Sequence, residues 1–484
     1  MQRWPLSLSI DPAGPEPVFL QIARAIAEAA LSRRLRAGEP LPSSRALAKD
    51  LGVHRNTVLA AYEELIGQGV LYTHPARGTF VAELPPAPRA PRAPRAAGAP
   101  GFPLRDVDVW QPLTPAPPGG LALASGIPDL RLFPVDDLAR AWRRALRRHP
   151  ERLLGYGDER GDPALRRALA AMLSARRGLS IDEDGVLVVR GSQMGLDLCA
   201  RLLLAPGDVV AVEALGYAPA WAALRAAGAR LVPVPVDGEG LDTSAFADLI
   251  AKERVRAVYV TPHHQYPTTV TLSAARRLAL LDVCAAHGIA VLEDDYDHEF
   301  HYEGRPVLPL ASADRRGVVI SIGTLSKILA PALRLGFVVA PPLVLERLAA
   351  LRRHVDRQGD LSLERAVADL LEDGTVMRHA RRMQRLYRAR RDALVEALER
   401  RLGDRVSFEV PRGGLAVWAR TTFDVDAWAE RSLAAGVSFP TARRFAPDGR
   451  AQNAARLGFA CVDEVEIEEA VRRMAEAAPQ GRRV

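Results

Sequence analysis

Ser321-Ile-Gly-Thr-Leu-Ser-Lys327-Ile-Leu-Ala-Pro-Ala-Leu-Arg334 sets one lysine in a small, apolar run. The 484-residue chain has 65 basic residues, but its lysines are confined to Lys49, Lys252 and Lys327. A cation at 327 that merely met solvent could equally be arginine, which fills nearly every other basic position. Lysine differs in that its amine condenses with an aldehyde to a Schiff base. Apolar neighbours desolvate that amine and lower its pKa. The stretch therefore suits an aldehyde cofactor such as pyridoxal phosphate (PLP).

Outward from this stretch, short β-branched runs alternate with helical ones. Val186–Val189, Val209–Val212, Arg230–Val234, Val255–Val260, Ile289–Leu292 and Gly317–Ile322 are expected strands, and Ser273–His287 is an expected helix between two of them. This alternation predicts an α/β domain with a mostly parallel sheet. Glu293-Asp294-Asp295-Tyr296-Asp297 follows directly on one strand, where such sheets bind ligands. A carboxylate there can hold a pyridine nitrogen protonated, and a nearby tyrosine can bond a ring oxygen. A solvated loop or a helix cap would account for the same acids. Arg190-Gly-Ser192-Gln193-Met-Gly195 also leaves a strand and opens a helix, a place where backbone amides favour a phosphate.

Residues 82–118 separate this body (119–484) from a small head (1–81). Ala82-Glu-Leu-Pro-Pro-Ala-Pro-Arg-Ala-Pro-Arg-Ala-Pro-Arg is dense in proline and repeats Pro-Arg-Ala, which favours an extended, semi-stiff linker. In the head, Phe19, Ile22, Ala23, Ile26 and Ala30 share a helical face, and Gly38 is expected to end that helix. Ser43 can cap a second helix carrying Leu47 and Leu51. A third carries Val58, Ala61, Tyr62 and Leu65, and a hairpin follows around Pro75 and Gly78. Three short helices and a hairpin make a winged helix-turn-helix.

Net charge is +7. Residues 1–97 hold 12 basic and 8 acidic side chains, so over half of the excess lies in the head and linker. Nucleic-acid contact and general arginine enrichment both explain that bias. Cys199, Cys284 and Cys461 are far apart and odd in number, which suggests buried thiols in a reducing compartment. No metal site is read. The N-terminus shows no signal peptide, and the most apolar stretch, Gly317–Val344, is broken by Lys327, Arg334 and prolines. A cytoplasmic protein is expected.

From about residue 120 onward the chain resembles fold type I aminotransferases. The resemblance implies that Lys327 forms the Schiff base with PLP and that Asp294 and Tyr296 partner the pyridine nitrogen and the phenolic oxygen. It implies that Ser192, Gln193, Thr324 and Arg334 bind the phosphate and that Tyr217 stacks on the ring. Arg456, in Arg456-Leu-Gly-Phe, matches the arginine that grips an amino acid's carboxylate. Tyr156, in Leu154-Gly-Tyr-Gly-Asp-Glu-Arg-Gly, matches a segment that reaches the other subunit's phosphate in a homodimer. One departure is the usual Asn-Pro-Thr-Gly loop, which reads here within His264-Gln-Tyr-Pro-Thr-Thr269 and loses the asparagine and the last glycine.

Leu41-Pro-Ser-Ser-Arg45 through Val53-His54-Arg55-Asn56-Thr57-Val58 resembles the GntR class of winged-helix repressors. There the third helix enters the major groove, so Arg55, Asn56 and Thr57 would meet base edges. Arg45 would approach the backbone or a base, and the wing tip Arg77-Gly78-Thr79 the minor groove. His54, often serine in that class, is a poorer cap and would contact phosphate or be neutral filler. Head, linker and body together resemble the MocR subfamily of regulators. The implied function is a PLP-dependent transcriptional regulator of double-stranded DNA that senses PLP itself or an amine or amino-acid effector. A working aminotransferase with an accessory head, and a PLP-storage or scaffold protein, are the competing expectations.

Overall fold

In the computed structural model, residues 8–84, 100, 102–104, 114–304, 307–447, 449 and 452–479 are described. The chain divides into two compact units, Met1–Leu104 and Arg105–Val484. Most of the proline-rich segment lies outside the described residues.

The head packs α1 (Val18–Leu31), α2 (Ser44–Leu51) and α3 (Arg55–Gly67) against a hairpin of β1 (Leu71–His74) and β2 (Gly78–Val81). Ile22, Ile26, Leu47, Val58, Leu65, Leu71 and Val81 close one core. Helix α1 stops at Leu31, well before Gly38. The Ser32 hydroxyl bonds back to the Glu28 carbonyl at 2.6 Å and Arg33 turns to φ +59°, which swings Leu35 into the core. Ser43 caps α2 by accepting from the Ala46 N–H at 3.2 Å, and Gly52 ends it in the left-handed region at φ +66°. That conformation lacks a Cβ penalty only in glycine. Three residues then separate α2 from α3.

The body is built on a seven-stranded sheet. In chain order its strands are β3 (Leu187–Val189), β4 (Val209–Glu213), β5 (Arg230–Val234), β6 (Val255–Val260), β7 (Ala290–Asp295), β8 (Val319–Thr324) and β9 (Gly336–Val339). Their spatial order is β3-β9-β8-β7-β6-β4-β5. All neighbours are parallel except β9, which runs antiparallel to β8 and β3. Six of the seven are the expected strands, and β9 is the addition. It follows β8 through the short turn that carries Lys327 and Arg334, so chain reversal replaces a crossover helix. Apolar side chains cover both faces of the sheet, as a helix-flanked parallel sheet requires. The long helix Thr375–Leu402 and a three-stranded antiparallel sheet hold the remaining core around Trp428, Phe459 and Tyr387. Leu121–Ala122 pairs in parallel with Val437–Ser438 in that region.

Cys199 and Cys284 are buried free thiols pushed up to about 12 by burial. No helix among the described residues is long and apolar enough to cross a membrane.

Ile26 is fully buried in the head core. Ile26→Ala is expected to destabilise the head by roughly 2–5 kcal/mol. Scanning calorimetry should show a lowered head transition, with the visible absorbance of the PLP-loaded body melting as in the parent. Loss of both signals together would mean that the units do not unfold separately.

Candidate cofactor site and nucleic-acid interface

The carboxyl ends of the parallel strands converge on one edge of the sheet, and the antiparallel β9 starts there. Register places Asp294 beside Ile322 and Thr324 beside Gly336. The four acids Glu293, Asp294, Asp295 and Asp297 are all buried. Tyr259, on β6, donates its hydroxyl to Asp294 Oδ2 at 2.8 Å, while Asp294 Oδ1 has no hydrogen-bond partner among the described residues. Burial raises the Asp294 carboxyl to about 7. The Tyr259 hydrogen bond opposes that rise, nearby Asp295 adds to it, and Lys327 opposes it. Lys327 Nζ donates to the Gly126 carbonyl at 2.7 Å. Burial lowers its pKa, against the pull of Asp297 and Asp294. Gly126 sits at φ +75°, and a Cβ there would come within 3.3 Å of the amine, so this close approach needs glycine.

A concave group of donors lies beside the lysine. Gly191 precedes the helix Ser192–Leu203 at φ +79°, and a Cβ on it would meet Arg334 Nη2 at 2.6 Å. Arg334 takes the left-handed conformation at φ +52° and donates Nη2 to the Arg190 carbonyl at 3.0 Å. Thr324 Oγ1 accepts from the Ser326 N–H at 3.1 Å. Gln193 donates to the Pro219 carbonyl at 2.8 Å, and its Oε1 is buried without a partner among the described residues. Free backbone amides at the helix start, a hydroxyl cluster and a guanidinium together suit a phosphate.

Aromatic rings close the other side. Tyr217 packs edge-on against Tyr266, with ring centroids 5.4 Å apart, and Tyr266 packs edge-on against Tyr296 at 6.0 Å. Tyr296 donates its hydroxyl to the His264 carbonyl at 2.9 Å. Arg456 is fully buried, with its guanidinium 4.4 Å from the Tyr266 ring centroid. Its Nη1 donates to the Pro267 carbonyl at 2.5 Å and its Nη2 lies 3.4 Å from the Tyr296 hydroxyl, while Nε has no partner among the described residues. In the departing loop, Gln265 spends its side chain locally. It donates to the Leu215 carbonyl at 2.7 Å and accepts from the Thr268 N–H at 3.1 Å. Thr269 stands where the related loop has glycine and holds φ +67°, a costly conformation for a β-branched residue. Tyr156 stands apart, 79% exposed, with the Arg357 guanidinium 4.0 Å from its ring centroid.

In the head, Arg45, His54, Arg55 and Asn56 are exposed and Thr57 is half-buried at the start of α3. His54 is itself the N-cap of that helix: its Nδ1 accepts from the Asn56 N–H at 3.2 Å. The histidine thus does the work of the serine it replaces, rather than serving as neutral filler. Arg55 Nε lies 3.4 Å from Ser44 Oγ on α2. At the wing tip Arg77 and Gly78 are exposed, Thr79 is half-buried, and Arg77 lies 6.0 Å from the Phe80 ring centroid.

Two contributors escaped the sequence. Tyr259 is one aromatic in a buried strand, and the Gly126 carbonyl lies 201 residues from Lys327. No local pattern marks either of them.

A winged helix-turn-helix head and an α/β body with a half-buried lysine at its strand ends define a two-part protein, one part for nucleic acid and one for an aldehyde cofactor. Residues 19–81 match the gntR family of bacterial regulatory proteins, and residues 119–474 match aminotransferase class I and II. The chain is 34% identical over 476 residues to the probable rhizopine catabolism regulatory protein MocR of Rhizobium meliloti, covering 97% of this chain and 95% of that one. It is 34% identical to the HTH-type transcriptional regulator TauR of Rhodobacter capsulatus, covering 97% and 98%. The body aligns with LysN, an α-aminoadipate aminotransferase of Thermus thermophilus solved with N-(5'-phosphopyridoxyl)-L-leucine. That match has a TM-score of 0.70 and 32% identity, and it covers 74% of this chain and 92% of that one. The chain belongs to the MocR type of GntR regulators, in which the body is an aminotransferase domain. Its cofactor is pyridoxal phosphate, which when bound supplies an electron sink beside the lysine. The site fits it: the unpartnered Asp294 Oδ1, the lysine of lowered pKa and the Gly191–Arg334 cradle each lack what the cofactor would supply.

Lys327→Ala is expected to abolish both the visible absorbance of the holo-protein and cofactor trapping by borohydride. Retention of either would remove Lys327 as the anchor. A second test uses pH. A carboxyl raised in the folded state contributes stability below its unfolded pKa near 3.8, and that contribution is lost as pH rises through about 7. At about 1.4 kcal/mol per unit the effect is on the order of 4 kcal/mol. Cofactor-free Asp294→Asn should therefore gain on the parent in urea denaturation as pH rises from 5 to 8, while binding PLP more weakly. Parallel stability curves would contradict the assignment of a raised Asp294.

Proposed function

We propose that the protein is a cytoplasmic, PLP-dependent transcriptional regulator in which the body reads a small molecule and the head reads an operator. The observation that carries this reading is the presence in one chain of a helix start with Arg55 and Asn56 exposed, and a half-buried lysine beside a carboxylate whose Oδ1 has no partner among the described residues. Arginine reads guanine and asparagine reads adenine in the major groove. Arg45 and His54 lie near enough in sequence to α3 to add backbone contacts, and Arg77-Gly78-Thr79 would follow the minor groove.

In the body, Lys327 anchors the cofactor, Asp294 holds its ring nitrogen, and Tyr296 and Tyr217 position the ring. Ser192, Gln193, Thr324 and Arg334 take its phosphate. The proposed effector is an amine or amino acid whose carboxylate takes Arg456. Such a carboxylate would compete with the Pro267 carbonyl and with the Tyr266 ring that already hold the guanidinium. An effector shifts an equilibrium only by its differential affinity for two states. Replacing an internal contact supplies such a difference, because the loop of Tyr266 and Pro267 must move for the ligand to bind.

A homodimer is part of the reading. Tyr156 and Leu154, 79% and 75% exposed, are large apolar groups on a segment that in related bodies reaches a second subunit. Residues 82–118 serve as the linker, and two heads would then read repeated half-sites. A working aminotransferase remains the second reading because every group for that chemistry is present. Sustained turnover of amino-acid and keto-acid pairs would favour it.

The test is a footprint on DNA upstream of the protein's own and neighbouring genes, with and without PLP. A protected site whose occupancy changes with PLP is the expected result, and no specific protection in either state would overturn the regulator. Arg55→Ala should weaken that protection by about 1–3 kcal/mol and relax one base position, leaving the PLP absorbance unchanged.

A further inference from the structure

Beside the cofactor pocket four histidines from two separate segments crowd together. His263 and His264 precede the departing loop, and His298 and His301 follow the acidic turn. The His263 and His264 ring centroids are 4.2 Å apart, and His263 stacks on His298 at 4.6 Å. His263 is 3% exposed, and neither of its ring nitrogens has a hydrogen-bond partner among the described residues. Two unbonded nitrogens on a buried imidazole are costly unless something else coordinates them.

We propose that His263, His264 and His301 form a site for one divalent transition-metal ion of the zinc class. One ligand nitrogen from each lies within 4.8 Å of the others. With metal–nitrogen bonds of about 2.0–2.1 Å, tetrahedral ligands sit roughly 3.4 Å apart, a closure that side-chain rotation can supply. His264 Nδ1 is 2.8 Å from Asp297 Oδ1, which leaves Nε2 for the ion and matches the carboxylate–histidine–metal arrangement that fixes a ligand's tautomer. Gly413 packs closely beside that nitrogen, where a Cβ would come within 2.3 Å of His264 Nε2. His301 has its Nδ1 buried, with no hydrogen-bond partner found among the described residues. It lines a cavity of about 660 Å³ together with Thr269, Glu303 and Arg412, which gives the ion an entry path.

Charge favours a cation. Asp295 and Glu299 share Arg177, and Asp297 pairs with the His264 imidazole in place of a guanidinium. Three imidazoles select borderline metals over the hard cations magnesium and calcium. The ion would tie the 263–264 segment to the 301 segment. Because the His264 carbonyl accepts from Tyr296, it would also steady that face of the cofactor pocket.

The test uses tag-free, PLP-loaded full chain, stripped with EDTA, incubated with zinc and desalted. Elemental analysis should give one zinc per chain, and cobalt in its place should develop visible d–d bands at equal stoichiometry. His301→Gln, at a half-buried position, and His263→Gln should each weaken zinc retention by at least about tenfold, with the PLP absorbance reporting that the chain is folded. Absence of retained zinc in the parent, or undiminished zinc in the folded His301→Gln protein, would overturn the site.

Discussion

Four carboxylates buried within five residues at the end of one strand are the constraint that the body is organised around. Burying an ionised carboxylate is prohibitive unless it is compensated, and the fold compensates each differently. Glu293 accepts from the Leu310 and Ala311 backbone N–H groups at 2.5 and 3.1 Å. Burial works to raise Asp295, yet Arg177 and His298 hold its carboxyl well below the usual range. Asp297 is held by His264. Asp294 has a neutral tyrosine hydroxyl as its hydrogen-bond partner and stays raised to about 7. Glu293 is raised to about 7 as well, but both of its oxygens accept backbone N–H groups. Asp295 and Asp297 each have a charged or imidazole partner, and Asp294 has only a neutral one, which under the proposed function leaves it open to a cationic ring nitrogen. Perturbed groups of this kind cluster at functional sites.

Much of this was legible in the chain because the chemistry is local. Lys327 stood out because arginine had taken nearly all the other basic positions. The acids followed directly on a β-branched run, and the head declared itself through helical periodicity, Ser43 and Gly52. What was not legible depends on contacts between distant segments. Tyr259 reaches Asp294 across a sheet register, the Gly126 carbonyl reaches Lys327 from 201 residues away, and the histidine cluster joins two loops. Strand β9 was hidden for another reason. Four buried residues after a turn give no periodicity to distinguish a strand reversing direction from more of the same apolar stretch. His54 and the end of α1 were misjudged because capping rules are statistical. An imidazole nitrogen accepts an N–H as a hydroxyl does, and Ser32 with Arg33 terminated a helix that a downstream glycine was expected to stop.

The departing loop bears on the choice between sensor and enzyme. An enzyme gains from an arginine that is free and preorganised for its substrate, because any internal contact that must be broken is subtracted from binding. Here Arg456 is fully buried against Pro267 and Tyr266, and Thr269 holds its loop at φ +67° without glycine's freedom. On the proposed reading, a ligand that takes the guanidinium competes with a loop already bonded to it, so part of its binding free energy would become a difference between two loop states. For turnover that is a loss. For a regulator it is the required quantity, since a ligand that binds two states equally shifts neither. Under the proposed function, the same residues that would weaken a transaminase would give the body a means of converting occupancy into a change of shape.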